Sequence, residues 1–224
     1  IATQDVTTYN DIYNGVSVTC DTYDYRSAWI ETTSSFGFGK FEICCKMPSG
    51  EGVFPAFWLY GEGATVCSPI TGPVVANEID VFEYRGSTTG EDIELNYRYY
   101  DTNNTNGICN DGLDKVSGLT YQTGMDLSQD FHVYSVEWTE DHMIWKIDGI
   151  NRRIINRNTY PDMYPCQQMR IIVNFAVAPF CPGPNPNTFD PCATFPQSFD
   201  IDYIHVYNQS ECESHVVCDN EPGD

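Results

Sequence analysis

Asn77-Glu78-Ile79-Asp80-Val81-Phe82-Glu83-Tyr84 reads as a β-strand that carries three carboxylates within six residues. Successive side chains of a strand point to opposite faces, so Glu78 and Asp80 share one face while Ile79 and Val81 enter the core. Strict alternation would turn Glu83 inward with the apolar set. A β-bulge at Val81-Phe82 adds one residue and returns Glu83 to the face of Glu78 and Asp80. The expectation is a row of three carboxylates on one side of a buried strand; the alternative is a solvated strand face with Glu83 at its end.

Outward from this strand, short segments rich in β-branched and aromatic residues recur between turn signals, and helical periodicity is absent. Strands are expected at 16–20, 38–47, 54–60, 78–84, 92–100, 132–138, 143–148, 152–155, 169–177 and 199–207. Asp148-Gly149 marks a turn between two of them. Ten or more strands without a repeat or a linker imply one all-β domain over residues 1–224. Its two antiparallel sheets would be stacked as a sandwich, because a single open sheet of that size leaves a face bare. The segment 208–224 carries Cys212 and Cys218 and is expected to be a short tail stapled to the body.

The 224 residues hold 11 Lys and Arg against 32 Asp and Glu, a formal charge of −21. That balance repels phosphate backbones and anionic lipid surfaces, so neither nucleic acid nor a membrane is an expected partner. No apolar run approaches the roughly 18 to 20 residues needed to span a bilayer. The expected form is a soluble monomer. Ten cysteines make an even set without the Cys-x-x-Cys spacing of zinc or redox sites, which points to disulfides and a secreted, extracellular protein. Cys44 and Cys45 alternate across a strand and should each bridge to a distant partner.

A carboxylate row set in a cleft is glycosidase equipment. Like charges held close raise the proton affinity of at least one member, so one carboxylic acid survives at neutral pH beside an ionised neighbour. A retaining enzyme needs a nucleophile and an acid/base about 5 to 5.5 Å apart, and two Glu on one strand face can lean together across the intervening Asp. Glu78-Ile79-Asp80-Val81-Phe82-Glu83 resembles the bulged E-[IL]-D-x-x-E signature of glycoside hydrolase family 16, the concanavalin-like β-jelly-roll endoglycanases. Five other segments resemble that family in order: Phe36 to Pro48, Pro55-Ala56-Phe57-Trp58-Leu59, Phe131 to Thr139, Ile144 to Gly149, and Phe195 to Tyr207. Together they span roughly residues 26 to 207.

The resemblance implies a jelly-roll sandwich with a concave substrate cleft. It makes Glu78 the nucleophile, Asp80 its modulator and Glu83 the acid/base of an endo-acting, retaining hydrolase that requires no cofactor. The substrate would be a polysaccharide. A neutral β-1,3- or mixed β-1,3/1,4-glucan is the first choice and an agar-like β-galactan the second. A transglycosylase would use the same carboxylates, and a β-glucan-binding lectin built on the same sandwich is the rival from another class. By the same resemblance Trp58, Tyr60 and Asn96 line the cleft, with Trp29 and Glu31 on a looser match. Arg98 stands where laminarinases and agarases commonly have His and joins the substrate-binding set. Trp138 is entered there too, although its apolar strand makes core packing the plainer reading, as it is for Trp145. Asp202 would belong to the structural calcium site that many relatives carry away from the cleft. The four His show no metal-ligating spacing, so strand packing is their default role.

Overall fold

In a computed structural model of the chain, the residues described are 1–13, 16–61, 77–86, 89–100, 114–159, 164–165, 168–177 and 193–208. They form thirteen strands: β1 (Thr3–Tyr13), β2 (Val16–Arg26), β3 (Ala28–Glu31), β4 (Gly39–Lys46), β5 (Val53–Gly61), β6 (Asn77–Glu83) and β7 (Asp92–Tyr100) in the first part. After them come β8 (Asp114–Gln122), β9 (His132–Trp138), β10 (His142–Ile147), β11 (Ile150–Asn156), β12 (Met169–Val177) and β13 (Asp200–Asn208), with one 3-10 turn at Arg157–Thr159. All ten expected strands are found. The sequence reading passes over β1, β3 and β8. Strand β3 is four exposed residues, and β8 (Asp-Lys-Val-Ser-Gly-Leu-Thr-Tyr-Gln) carries a central Gly118 and little alternation, so neither offers a burial signal.

A six-stranded sheet runs β3-β12-β5-β6-β7-β8, a five-stranded sheet runs β11-β10-β9-β4-β13, and β1-β2 form a ribbon of their own. Every pairing is antiparallel. The two larger sheets stack through side chains that alternate inward. Phe57, Leu59, Ile79 and Phe82 from the six-stranded sheet are fully buried, as are Phe41, Ile43, Tyr134, Val136 and Trp145 from the other. The Phe82 ring lies 4.9 Å from that of Tyr134 and 6.2 Å from that of Phe199, which closes the middle of the core. Burying each such side chain stabilises the fold by about 1.5–3 kcal/mol relative to exposure. Trp138 is buried too, packed edge to face against Phe38 and at a tilt against Phe41, and its indole N–H donates to the Pro165 carbonyl at 3.0 Å. It is therefore a core residue, which corrects its assignment to substrate binding.

The β10–β11 hairpin turns at Asp148-Gly149 as expected, both with positive φ (51° and 74°). The Asp148 carboxylate accepts from the Val133 amide at 2.9 Å and stands 2.8 Å from His132 Nδ1, tying the turn to β9. Cys44 and Cys45 are free thiols, so the expected distant bridges are not formed. Burial, and secondarily Cys44, pushes the Cys45 thiol well above its ordinary value. Of the other eight cysteines, Cys20 lies on β2 and seven fall outside the described residues, as does the tail beyond Asn208.

The strand that fixes the rest is β6, and its bulge is present. On one side Trp58 opposes Asp80 but Phe57 opposes Phe82; on the other Asn96 opposes Asp80 and Glu94 opposes Glu83. Val81 is the extra residue. Both Val81 and Phe82 turn into the core, exposed by 1% and 0%, while Glu83 returns to the outer face with Glu78 and Asp80. Beneath the bulge, the Trp145 indole N–H reaches from the opposite sheet to the Asp80 carbonyl at 2.8 Å. Replacing Trp145 by Phe keeps most of the packing but orphans that buried carbonyl. Urea unfolding should show a loss of about 1–3 kcal/mol; a variant as stable as the parent would mean that the bulge does not lean on this bond.

Candidate active site

Register alone assembles the outer face of the six-stranded sheet. Across β6, Glu78 lies between Tyr60 and Arg98, Asp80 between Trp58 and Asn96, and Glu83 between Ala56 and Glu94. Next out, Arg170, Ile172 and Asn174 of β12 oppose Tyr60, Trp58 and Ala56. Glu31 and Trp29 of β3 then oppose Ile172 and Asn174. The sequence-expected residues Glu78, Asp80, Glu83, Trp58, Tyr60, Asn96, Arg98, Trp29 and Glu31 thus lie on one sheet face. Trp138 is the exception.

The carboxylates are held by two side chains of β7. Asn96 Nδ2 donates to Glu83 Oε2 at 2.5 Å and to Glu94 Oε2 at 3.3 Å, and its own Oδ1 accepts from the Leu119 amide at 3.3 Å. Arg98 sits between all three carboxylates. Its Nε is 3.0 Å from Glu78 Oε1 and 3.6 Å from Asp80 Oδ2, and its Nη2 is 3.3 Å from Glu83 Oε2. Neither Nε nor Asp80 Oδ2 has an aligned hydrogen-bond partner, so Nε holds Glu78 and Asp80 by charge rather than by a directed bond. Burial lowers the guanidinium's pKa, but Glu83, Asp80 and Glu78 outweigh it and the net direction is upward.

Asp80 is 2% exposed. Burial first, then the charges of Glu78 and Glu83, push its carboxyl well above the ordinary carboxylate range, against a smaller opposing pull from Arg98. Its hydrogen bond to Glu78 acts in the same direction, as it does when Asp80 holds the proton and donates it to Glu78. The row therefore contains a buried carboxyl whose proton affinity is raised by its enclosure and its neighbours. Glu78 is the more open of the flanking pair, with 23% of its side chain exposed against 11% for Glu83.

An aromatic wall stands beside the row. The Trp29 and Trp58 rings meet edge to face at 5.4 Å, and Trp58 meets Tyr60 at 5.7 Å in the same manner. The Trp58 indole N–H donates to Asn174 Oδ1 at 2.8 Å, which fixes the ring's tilt. Trp29 is 57% exposed, a large apolar plate open to solvent on a sheet edge. Glu31 is an ion-pair partner of Arg170 at 3.0 Å.

Glu94, Arg85 and Asn174 were not singled out in the sequence. Arg85 Nε is 2.7 Å from Glu94 Oε1, and its Nη2 is 4.0 Å from Glu83 Oε1. Period two from Asn96 reaches Glu94, so that residue was findable; Asn174 shows only through the β12–β5 pairing. Asp202 lies in a bulge of β13, between the pairs Ile201 with Cys45 and Tyr203 with Cys44. Among the described residues no group of three or more His, Cys, Asp or Glu is placed to hold an ion.

A sequence model of glycosyl hydrolases family 16 matches residues 1–189. The chain belongs to this family. It is 29% identical over 203 residues to a glucan endo-1,3-beta-glucosidase A1 of Niallia circulans, covering 83% of this chain and 26% of that protein. It is 31% identical over 188 residues to an endo-1,3-1,4-beta-glycanase of Rhizobium meliloti, covering 83% and 34%. The chain thus spans about a quarter to a third of the length of these two relatives. The catalytic domain of a Thermotoga petrophila endo-1,3-beta-glucanase superposes with a TM-score of 0.66 at 27% identity, over 94% of this chain and 76% of that one.

Asp80 gives the site a pH signature. Its pKa is raised in the folded protein, so its contribution to stability is fully present below its unfolded value and is lost as pH rises toward the folded value. Asp80→Asn stays neutral throughout and escapes that loss. The melting temperature of Asp80→Asn relative to the parent should therefore climb between about pH 4 and pH 7. A difference that is flat, or that falls over this window, would show that Asp80 is ionised in the folded state.

Proposed function

We propose that this chain is a retaining, endo-acting β-glycanase whose first substrate is a β-1,3- or mixed β-1,3/1,4-glucan. One observation carries the reading: the bulge at Val81 sets Glu78, Asp80 and Glu83 on one open face, where a single guanidinium touches all three. Two carboxylates within the compass of one side chain suit a double displacement better than the wider spacing that an inverting enzyme needs for its water. The glucan preference is supported by the names of the sequence relatives and by the aromatic wall, which offers planar surfaces to uncharged sugar rings.

Glu78 attacks the anomeric carbon as the bond to the leaving oxygen breaks, and Glu83 gives its proton to that oxygen. Glu83, now a carboxylate, then takes a proton from water, whose oxygen attacks the same carbon and releases Glu78. Protonated Asp80 donates to Glu78 in the resting state and holds its carboxylate in line. As Glu78 becomes an ester its charge disappears, which removes one of the causes that raised Asp80. Asn96, anchored by the Leu119 amide, fixes the position of Glu83. Trp58, with its tilt set by Asn174, and Trp29 stack on sugar rings along the sheet.

Reducing-sugar release from laminarin, lichenan, barley glucan, agarose and carrageenan tests the reading, with NMR following the anomer first formed. Retention is expected on a β-glucan. Glu83→Gln should lower kcat by about 10²–10⁴-fold, and Glu78→Ser should remove turnover while oligosaccharide binding persists. Inversion of configuration, or variants as active as the parent, would refute the assignment. Binding without turnover in the parent would favour the lectin reading.

A further inference from the structure

We propose that Arg98 is a positioning residue that serves as the common counter-ion of both half-reactions, staying in contact with the single negative charge as it moves from Glu78 to Glu83. The inference rests on the retaining mechanism above and adds a role for a side chain that this mechanism does not otherwise use.

Charge bookkeeping supplies the argument. The retaining mechanism requires Glu78 to start as a carboxylate and Glu83 to bring the proton that it gives up; with Asp80, whose carboxyl is raised well above the ordinary range, protonated as well, the row carries one negative charge. In glycosylation a Glu78 oxygen bonds to the anomeric carbon, the bond to the leaving oxygen breaks with its electron pair, and the Glu83 proton passes to that oxygen. Glu78 is now a neutral ester and Glu83 a carboxylate. The row still carries one negative charge, but at its other end. Hydrolysis of the ester reverses the shift, with water giving its proton to Glu83. A cation fixed at one end would favour one half-reaction and oppose the other. Arg98 reaches both ends at once, with Nε 3.0 Å from Glu78 and Nη2 3.3 Å from Glu83. Its Nη2 donates to Glu83 while its Nε stands against Glu78 by charge, so one planar guanidinium spans the row.

The surroundings leave Arg98 no competing task among the described residues. The titratable groups facing it are Glu78, Asp80 and Glu83 on β6, Glu94 two pairs away on its own strand, and Tyr60 across Glu78 on β5. The next cations are Arg85, which lies 4.0 Å beyond Glu83 and pairs with Glu94, and Arg170, which pairs with Glu31. On the β8 side its register partner is the uncharged Val116. The row's negative charge already matches the one guanidinium, which leaves no surplus positive charge to attract an anionic sugar substituent. The arrangement fits an uncharged substrate and an inward-facing electrostatic role.

The test compares the parent with Arg98→Met, Arg98→Gln and Arg98→Lys. Without the cation, protonation of the row becomes easier, so both limbs of the kcat/KM profile against pH should move upward by about one unit or more. Arg98→Lys keeps the charge and should restore the limbs to within a few tenths of a unit while recovering only part of kcat. A neutral variant whose limbs coincide with the parent's, with the rate lowered by one factor at every pH, would overturn the proposal and leave a sugar contact or packing as the role of Arg98. Melting temperature against pH gives a readout that needs no substrate. The deficit of a neutral variant should widen from about pH 4 to pH 7 as the row ionises without its counter-ion, and a constant deficit would again overturn the proposal. A parent inactive on every polymer, yet showing the widening deficit, would fault the glycanase reading and leave the electrostatic assignment of Arg98 standing.

Discussion

One inserted residue governs the functional face of this sandwich. Strict alternation along β6 would bury Glu83 among Phe57, Ile79 and Tyr134, where an unpaired carboxylate costs several kcal/mol or takes up a proton. Val81 absorbs the extra step. Both Val81 and Phe82 then face the core, the Phe82 ring plugs the gap between the sheets against Tyr134 and Phe199, and Glu83 emerges beside Asn96 and Arg98. The hydrophobic effect thus enforces the geometry of the carboxylate row: undoing the bulge would exchange a buried aromatic ring for a carboxylate. The Trp145 indole bonded to the Asp80 carbonyl ties this irregular strand to the opposite sheet.

On that frame the electrostatics follow from register. Three acidic residues on one strand face would repel one another into disorder in a low-dielectric setting. Two features prevent this. Asp80, enclosed beneath Arg98 and between its neighbours, has its carboxyl pushed well above the ordinary carboxylate range, and Arg98 supplies a positive charge that reaches every member. In a chain whose formal charge is −21, Arg98, Arg85 and Arg170 stand on or beside this face, each paired with a carboxylate.

Much of this was legible in the sequence, and the omissions have physical reasons. The carboxylate row and its bulge could be read because three acids in a β-rich octapeptide have no stabilising purpose, and because Val81-Phe82 offers two consecutive apolar side chains to bury. Trp58 and Tyr60 followed from period two. Strands β3 and β8 were missed because four exposed residues and a segment centred on Gly118 with little alternation give no burial signal. Trp138 was entered with the substrate-binding set although its apolar strand already favoured the core, and the packing with Phe38 and Phe41 decides for the core. Glu94, Arg85 and Asn174 belong to the site through pairings between strands far apart in sequence, which composition and spacing do not carry. Cys44 and Cys45 were assigned to bridges from an even cysteine count, a global property that says nothing about which thiols meet.

The central claim is that Glu78 is the nucleophile of a double displacement set up by the β6 bulge. An activated 2-deoxy-2-fluoro β-1,3-glucan oligosaccharide, whose fluorine slows ester hydrolysis, tests it directly through mass spectrometry of the intact protein followed by peptide mapping. The account predicts a single added glycosyl group on the peptide that contains Glu78, absent from Glu78→Ser. A label on Glu83 or on any other residue, or steady turnover of β-glucan with no covalent species formed, would contradict it.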